Sequence, residues 1–366
     1  MIKHVDHFHG SDLEKIEQVF GIKKEDITSF SANVNPLGIS YKLKETLASK
    51  IDAITSYPDR EYTNLRKSIA AYVGTDYSNI IVGNGSTELI SLFIQIQKPQ
   101  KALMIGPTYS EYEREVSLGG GRSHYLSLKE ASDFKLDMNE LERELSSSVD
   151  LLVLCNPNNP TSSVITRKEM RKILDICKQR GIYVMIDETY VEFSVEMDNI
   201  TSVPLTEYYN NLIILRGTSK FFAAPGLRLG YAICGNDDLI KEINKRQNPW
   251  TINTLAAIAG EIMFSDADYM AETKSLINNE RTRITKRLSE CKNIKVFPAH
   301  ANFVLIKVLR DDITSKDLFA AAIKKGLMIR DCSTFPFLDS RYIRFCFMSP
   351  EKNDQLVDIL LTELNK

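Results

Sequence analysis

The 366-residue sequence has no Cys-x-x-Cys spacing, no surplus of either charge and no apolar run long enough to cross a bilayer. Each absence excludes something. The six cysteines (Cys155, Cys177, Cys234, Cys291, Cys332, Cys346) are scattered singly, so neither a zinc-type ligand pair nor a disulfide framework is expected, and a reducing, cytoplasmic compartment is. Forty-six Lys and Arg against forty-eight Asp and Glu leave a net charge of −2, which gives no electrostatic reason to expect nucleic acid or a membrane as partner. The first ten residues lack the apolar core of a secretory leader. His4, His7 and His9 lie close together there, but no Cys or carboxylate pattern accompanies them. They read as a polar arm, and no metal is expected.

What is present is ordinary globular composition, 43% hydrophobic and 26% charged, arranged in a repeating order. Short apolar runs at 80–82, 102–105, 150–155, 182–186 and 212–215 read as strands, and most lead through a turn into a helical stretch. Near-continuous apolar strands alternating with helices predict an α/β fold with a mostly parallel sheet covered on both faces. A long helical stretch is expected from about Asn253 toward Arg287, and the mixed strands and helices beyond residue 290 predict a smaller α+β domain. The expected division is residues 1–50 as an N-terminal arm and part of the small domain, 51–255 as the large domain, and 256–366 as connecting helix plus small domain.

The polar clusters fall where these strands end. Gly83-Asn84-Gly85-Ser86-Thr87 joins a strand to a helix, which suits either a phosphate resting on backbone N–H groups or a plain helix cap. Asp187 closes an apolar run, so its carboxylate needs a cationic or hydrogen-bonding partner or else serves as a cap. A protonated pyridine nitrogen at about 3 Å, with an effective dielectric of about 20, would supply roughly 5 kcal/mol. In Arg216-Gly217-Thr218-Ser219-Lys220-Phe221-Phe222, one lysine stands among hydroxyls and aromatics, with Arg228 eight residues on. That mixture suits an amine attacking a carbonyl beside a held phosphate, although a solvated surface lysine has the same local pattern. In a parallel sheet a ligand sits beyond the carboxyl ends of the strands, which places these clusters in one site.

Asn156-Pro157-Asn158-Asn159-Pro160-Thr161, Asp187-Glu188-Thr189-Tyr190, and Ser219-Lys220 followed by Gly226-Leu227-Arg228-Leu229-Gly230-Tyr231 resemble the pyridoxal-phosphate aminotransferases of class I and II, fold type I. The resemblance spans most of the chain. It implies pyridoxal 5'-phosphate as cofactor, Lys220 as its Schiff-base lysine and proton shuttle, and Asp187 against the ring nitrogen. It further implies Tyr190 and Asn159 at the ring oxygen, Tyr109 stacked on the ring, and Gly85, Ser86, Thr87, Ser219 and Arg228 around the phosphate. Tyr57 would reach the phosphate in a neighbouring subunit, implying a homodimer with shared sites, and Arg344 would fork the substrate carboxylate. Where members of the family often carry glycine this chain has Ser162, read as neutral, and Gly217 stands where a hydroxyl is common.

Within the family, the Ser31–Gly38 loop, Gln247-Asn248-Pro249-Trp250 and Leu338-Asp339-Ser340-Arg341-Tyr342 resemble the threonine-phosphate decarboxylases of cobalamin synthesis more than the histidinol-phosphate aminotransferases. Either branch implies a small phosphorylated substrate. By the resemblance its phosphate falls to Arg330 and Arg341, with His9 and Asn33 nearby. Decarboxylation of threonine phosphate, transamination of a histidinol-phosphate-like substrate, and a non-catalytic module keeping the fold are the three functions weighed.

Overall fold

The computed structural model describes Gly10 and residues 12–145 and 148–366; His4, His7 and His9 lie outside the described residues. A two-residue strand, β1 (Thr28–Ser29), precedes seven that form the main sheet: β2 (Ile80–Asn84), β3 (Lys101–Gly106), β4 (Arg122–Ser127), β5 (Leu151–Cys155), β6 (Tyr183–Asp187), β7 (Leu212–Gly217) and β8 (Leu229–Ile233). Their spatial order is β2-β8-β7-β6-β5-β3-β4. β8 alone runs antiparallel to its neighbours, β2 and β7.

Alternate residues of each strand serve opposite faces, and both faces are buried. Leu103, Leu152, Leu154, Val184, Ile186 and Ile214 join one core, whereas Met104, Val153, Met185, Ile213 and Leu215 join the other. This two-sided burial is why the strands read as unbroken apolar runs. β4, with the pattern Arg-Ser-His-Tyr-Leu-Ser, is an edge strand whose residues are mostly exposed or half-buried, and composition gave no sign of it.

The remaining strands are β9 (Ile294–Val296), β10 (Phe303–Val308), β11 (Leu327–Met328), β12 (Arg330–Asp331) and β13 (Tyr342–Cys346). Four of them form an antiparallel sheet in the order β12-β13-β10-β9. β11 instead pairs in parallel with β1, which ties the N-terminal segment to the C-terminal part of the chain. The long helix expected from Asn253 is two helices, Thr254–Met263 and Ala267–Ser289. The break has a local cause: the Asp266 carboxylate caps the second helix by accepting from the Tyr269 N–H at 3.4 Å.

Beneath the carboxyl edge of the main sheet lies a fully buried ion pair. Arg216 donates to Glu188 Oε2 from Nη2 at 2.7 Å and from Nε at 3.1 Å, while Glu188 Oε1 accepts from the Ser202 N–H at 2.6 Å. Glu192 is the other buried carboxylate near Arg216, but at 3.9 Å it does not replace the two hydrogen bonds that Glu188 accepts, so removing Glu188 leaves the guanidinium poorly paired in a dry interior. Glu188→Ala is therefore expected to destabilise the fold by about 3 kcal/mol, read as a lower urea midpoint; a midpoint within error of wild type would refute this account of the pair.

Candidate active site

The polar groups at the strand ends converge on one cavity of about 760 Å³. β6 delivers Asp187, β5 delivers Cys155 and the turn bearing Asn159, and β7 delivers Ser219 and Lys220; all line the cavity. Tyr109, Ser86, Thr87, Tyr190 and Arg228 line it from the large sheet's side, and Arg330 and Arg344 from the four-stranded sheet.

Lys220 is half-buried, and its Nζ donates to the Ala32 carbonyl at 2.6 Å. Burial, then the charges of Arg344 and Arg228, push its pKa from 10.5 down to about 8. Asp187 is buried, and burial raises its pKa. Three donors oppose that rise: the Tyr112 hydroxyl to Oδ2 at 2.6 Å, and the Thr189 N–H at 2.9 Å and Thr189 hydroxyl to Oδ1. Each carboxylate oxygen accepts about two hydrogen bonds, so one lobe, on Oδ2, is left for a fourth donor. Tyr112 comes from the helix Glu111–Leu118 and is fully buried, with its own pKa pushed far up by burial, so it stays a donor. Sequence reading missed it.

The Tyr190 hydroxyl accepts from Asn33 Nδ2 at 3.3 Å, and its ring meets Phe303 edge-on at 5.0 Å. Arg344 lies over the Phe303 ring at 5.3 Å and donates to the Ser31 carbonyl at 2.6 Å and to Asn159 Oδ1. Arg330 donates to Thr334 at 2.8 Å and lies over Phe335. The two arginines are direct partners across the antiparallel β12–β13 ladder and both are buried. Like charges placed opposite each other weaken a ladder.

Not every expected residue is brought here. Arg341 is half-buried, donates to Asp339 Oδ2 at 3.3 and 3.1 Å, and does not line the cavity. Tyr57 is 79% exposed, packs at a tilt against Trp250 with ring centroids 4.7 Å apart, and lies outside the cavity lining of this single chain. His9 lies outside the described residues, although its neighbour Gly10 lines the cavity.

A mostly parallel sheet presenting an easily deprotonated amine and a buried carboxylate, with two arginines of the four-stranded sheet in the same pocket, defines an enzyme site for a small anionic substrate. The comparisons with known proteins narrow this. The family model described as aminotransferase class I and II matches residues 25–360, and the chain belongs to that family. It is 34% identical over 352 residues to the threonine-phosphate decarboxylase of Salmonella typhimurium, covering 96% of this chain and 95% of that one. It is 31% identical over 338 residues to histidinol-phosphate aminotransferase 2 of Archaeoglobus fulgidus, covering 92% and 93%. The crystal structure of the histidinol-phosphate aminotransferase from Clostridium acetobutylicum superposes with a TM-score of 0.85 at 32% identity, covering 92% of this chain and 98% of that one.

The family is pyridoxal-phosphate-dependent, and the residues present fit that group. Ser31 Oγ, Asn33 Oδ1, Thr108 Oγ1 and Arg344 Nε are buried, belong to lining residues, and have no hydrogen-bond partner among the described residues. Gly85 precedes the helix Ser86–Gln97 with φ 78°, and a Cβ there would collide with the Arg228 guanidinium, so a side chain would close the space between that guanidinium and the helix N-terminus.

Two outcomes follow. The free amine of Lys220 becomes the majority form above pH 8 or so, because its pKa is lowered to about 8. Capture of pyridoxal 5'-phosphate by cofactor-free protein, followed by absorbance, should therefore accelerate with pH and level off above about pH 8 to 9; a rate still climbing tenfold per pH unit at about pH 9.5 would contradict the lowered value. Tyr112→Phe removes a charge-assisted bond and should weaken cofactor retention about tenfold; unchanged affinity by fluorescence titration would remove Tyr112 from the site.

Proposed function

We propose that this chain decarboxylates L-threonine O-3-phosphate to (R)-1-aminopropan-2-yl phosphate and carbon dioxide with pyridoxal 5'-phosphate. The single observation that carries the substrate class is the pair Arg330 and Arg344, two buried arginines at paired positions of one ladder that line one cavity. Asp331 and Asp12 act on Arg330 within the protein, and a guest with two anionic ends, one for each arginine, would offset the pair's repulsion further. An α-amino acid carrying a phosphate has both ends. Similarity to a threonine-phosphate decarboxylase over nearly the full length of both chains supports the particular amino acid.

In this reading Lys220 carries the cofactor, Asp187 gives its remaining Oδ2 lobe to the ring nitrogen, and Tyr190 and Asn159 hold the ring oxygen. Tyr109 covers the ring, while Gly85, Ser86, Thr87, Ser219 and Arg228 hold the phosphate. When bound, the cofactor supplies an electron sink at the substrate's α-carbon. Arg344 orients the substrate carboxylate and Arg330 its phosphate, with Asn33 beside them. As the bond to the carboxylate breaks, its electron pair stays with the α-carbon, and the Lys220 ammonium, the form present below its pKa of about 8, delivers the proton that replaces carbon dioxide and becomes the neutral amine. Aromatic and apolar groups (Tyr109, Phe335, Pro336) line the remaining wall and limit water.

We further place residues 51–255 as the cofactor-holding domain, with 1–50 and 256–366 forming the arm, connecting helix and small domain. The pairing of β1 with β11 supports assigning the N-terminal segment to that second unit. A homodimer is supported by the exposed Ile54, Tyr57 and Trp250, an apolar patch from which Tyr57 would reach the partner's phosphate. A cytoplasmic location is supported by six free cysteines, five of them buried.

The second reading is an aminotransferase on a histidinol-phosphate-like substrate, favoured by the likeness to the Clostridium acetobutylicum structure at 32% identity. One assay separates the two. Purified holoenzyme should release carbon dioxide from phosphothreonine with no keto acid present, and Arg330→Ala should raise KM about a hundredfold or more. Turnover that depends strictly on 2-oxoglutarate would replace the first reading by the second.

A further inference from the structure

Ser162 is the one residue of the Asn156–Ser163 turn with a positive φ, 60°, where a side chain is strained and glycine is not. It is fully buried, and its hydroxyl oxygen accepts two backbone N–H groups, from His300 and Ala301, each at 2.8 Å. Those two amides belong to the segment entering β10 and the four-stranded sheet. The Ser162 N–H meanwhile donates to the Asn158 carbonyl at 2.7 Å within its own turn. One strained side chain thus joins the turn that follows β5 in the main sheet to the other sheet.

The same two units meet a second time at the substrate site. Asn159, three residues before Ser162, accepts from Arg344. Phe303, two residues beyond Ala301, lies beneath the Arg344 guanidinium and against Tyr190. Between them, Asn302 Nδ2 donates to the Asn33 carbonyl at 2.9 Å. The Ser162 clasp and the Asn159–Arg344 contact are therefore parallel links, and the first sets how far apart the groups of the second are held.

We propose that Ser162 is a positioning residue that places Arg344 against Asn159 and so fixes the seat of the substrate carboxylate. This rests on the assignment of Arg344 to that carboxylate. The strained backbone is the sign that the hydroxyl is retained for a reason: an idle side chain would leave glycine at least as good there.

The test compares Ser162→Gly, which removes the hydroxyl and relieves the strain, with Ser162→Ala, which removes the hydroxyl and keeps it. For each holoenzyme, the apparent affinity for phosphothreonine is read as KM from initial rates of carbon dioxide release, and that for 1-aminopropan-2-yl phosphate, which has the same phosphate and amine but no carboxylate, as its inhibition constant in the same assay. Both variants should lose about tenfold in affinity for phosphothreonine and hold the second ligand as wild type does. Equal losses for both ligands would mean a merely structural role, and wild-type affinity for both would mean an idle hydroxyl; either overturns the proposal. If wild type instead transaminates and ignores phosphothreonine, the functional reading fails while this one is still tested, with glutamate as the carboxylate ligand and histidinol phosphate as the one without.

Discussion

A buried carboxylate is the constraint on which the site depends. Asp187 sits at the end of an apolar strand where ionisation is costly, and the chain answers with three donors from two residues, Tyr112 and Thr189, instead of an arginine. A cation in that place would satisfy the charge completely and leave nothing for a ligand. Two hydroxyls and an amide lower the cost and still leave one acceptor lobe on a carboxylate that lines the cavity. The amine across the pocket is tuned by the same dryness in the opposite sense, since burial that raises an acid lowers a base.

Charge is held in two layers. Beneath the site, Arg216 and Glu188 neutralise each other with the hydrogen bonds of Thr201 and Ser202, and they hold the strand ends of β6 and β7 together. Above it, Arg330 and Arg344 are placed against each other across a ladder. In the lower pair each charge meets an opposite charge of the protein, which suits structure; both upper arginines line the cavity, which suits binding. The Asn156–Ser163 turn connects the layers, because Asn159 touches the upper arginine while Asn156 accepts from the Ile165 N–H and donates to the Ile200 carbonyl below.

Much of this was legible. The apolar runs found β2, β3, β5, β6 and β7 because a strand buried on both faces must be apolar at every position. The lysine, aspartate and glycine clusters were legible because each stands at a strand's end, where the chain turns and polar residues first become affordable. Tyr112 was not, since a tyrosine on an amphipathic helix looks the same whether its hydroxyl meets water or Asp187. Arg341 and Arg330 were indistinguishable by type; only the ladder register sends one into the cavity and leaves the other on Asp339. Ser162, read as a neutral replacement for glycine, carries a positive φ and holds two amides of another sheet.

The sequence by itself determined the layered α/β class and the inventory of reactive groups, because strand burial and turn chemistry are local properties written in consecutive residues. Tertiary structure alone decided which of those groups meet. Contacts such as Lys220 with Ala32, Tyr112 with Asp187, and Arg344 with Asn159 join positions far apart in the chain. Their existence depends on strand order and register, which follow from the packing of the whole chain and have no signature in any one stretch of it.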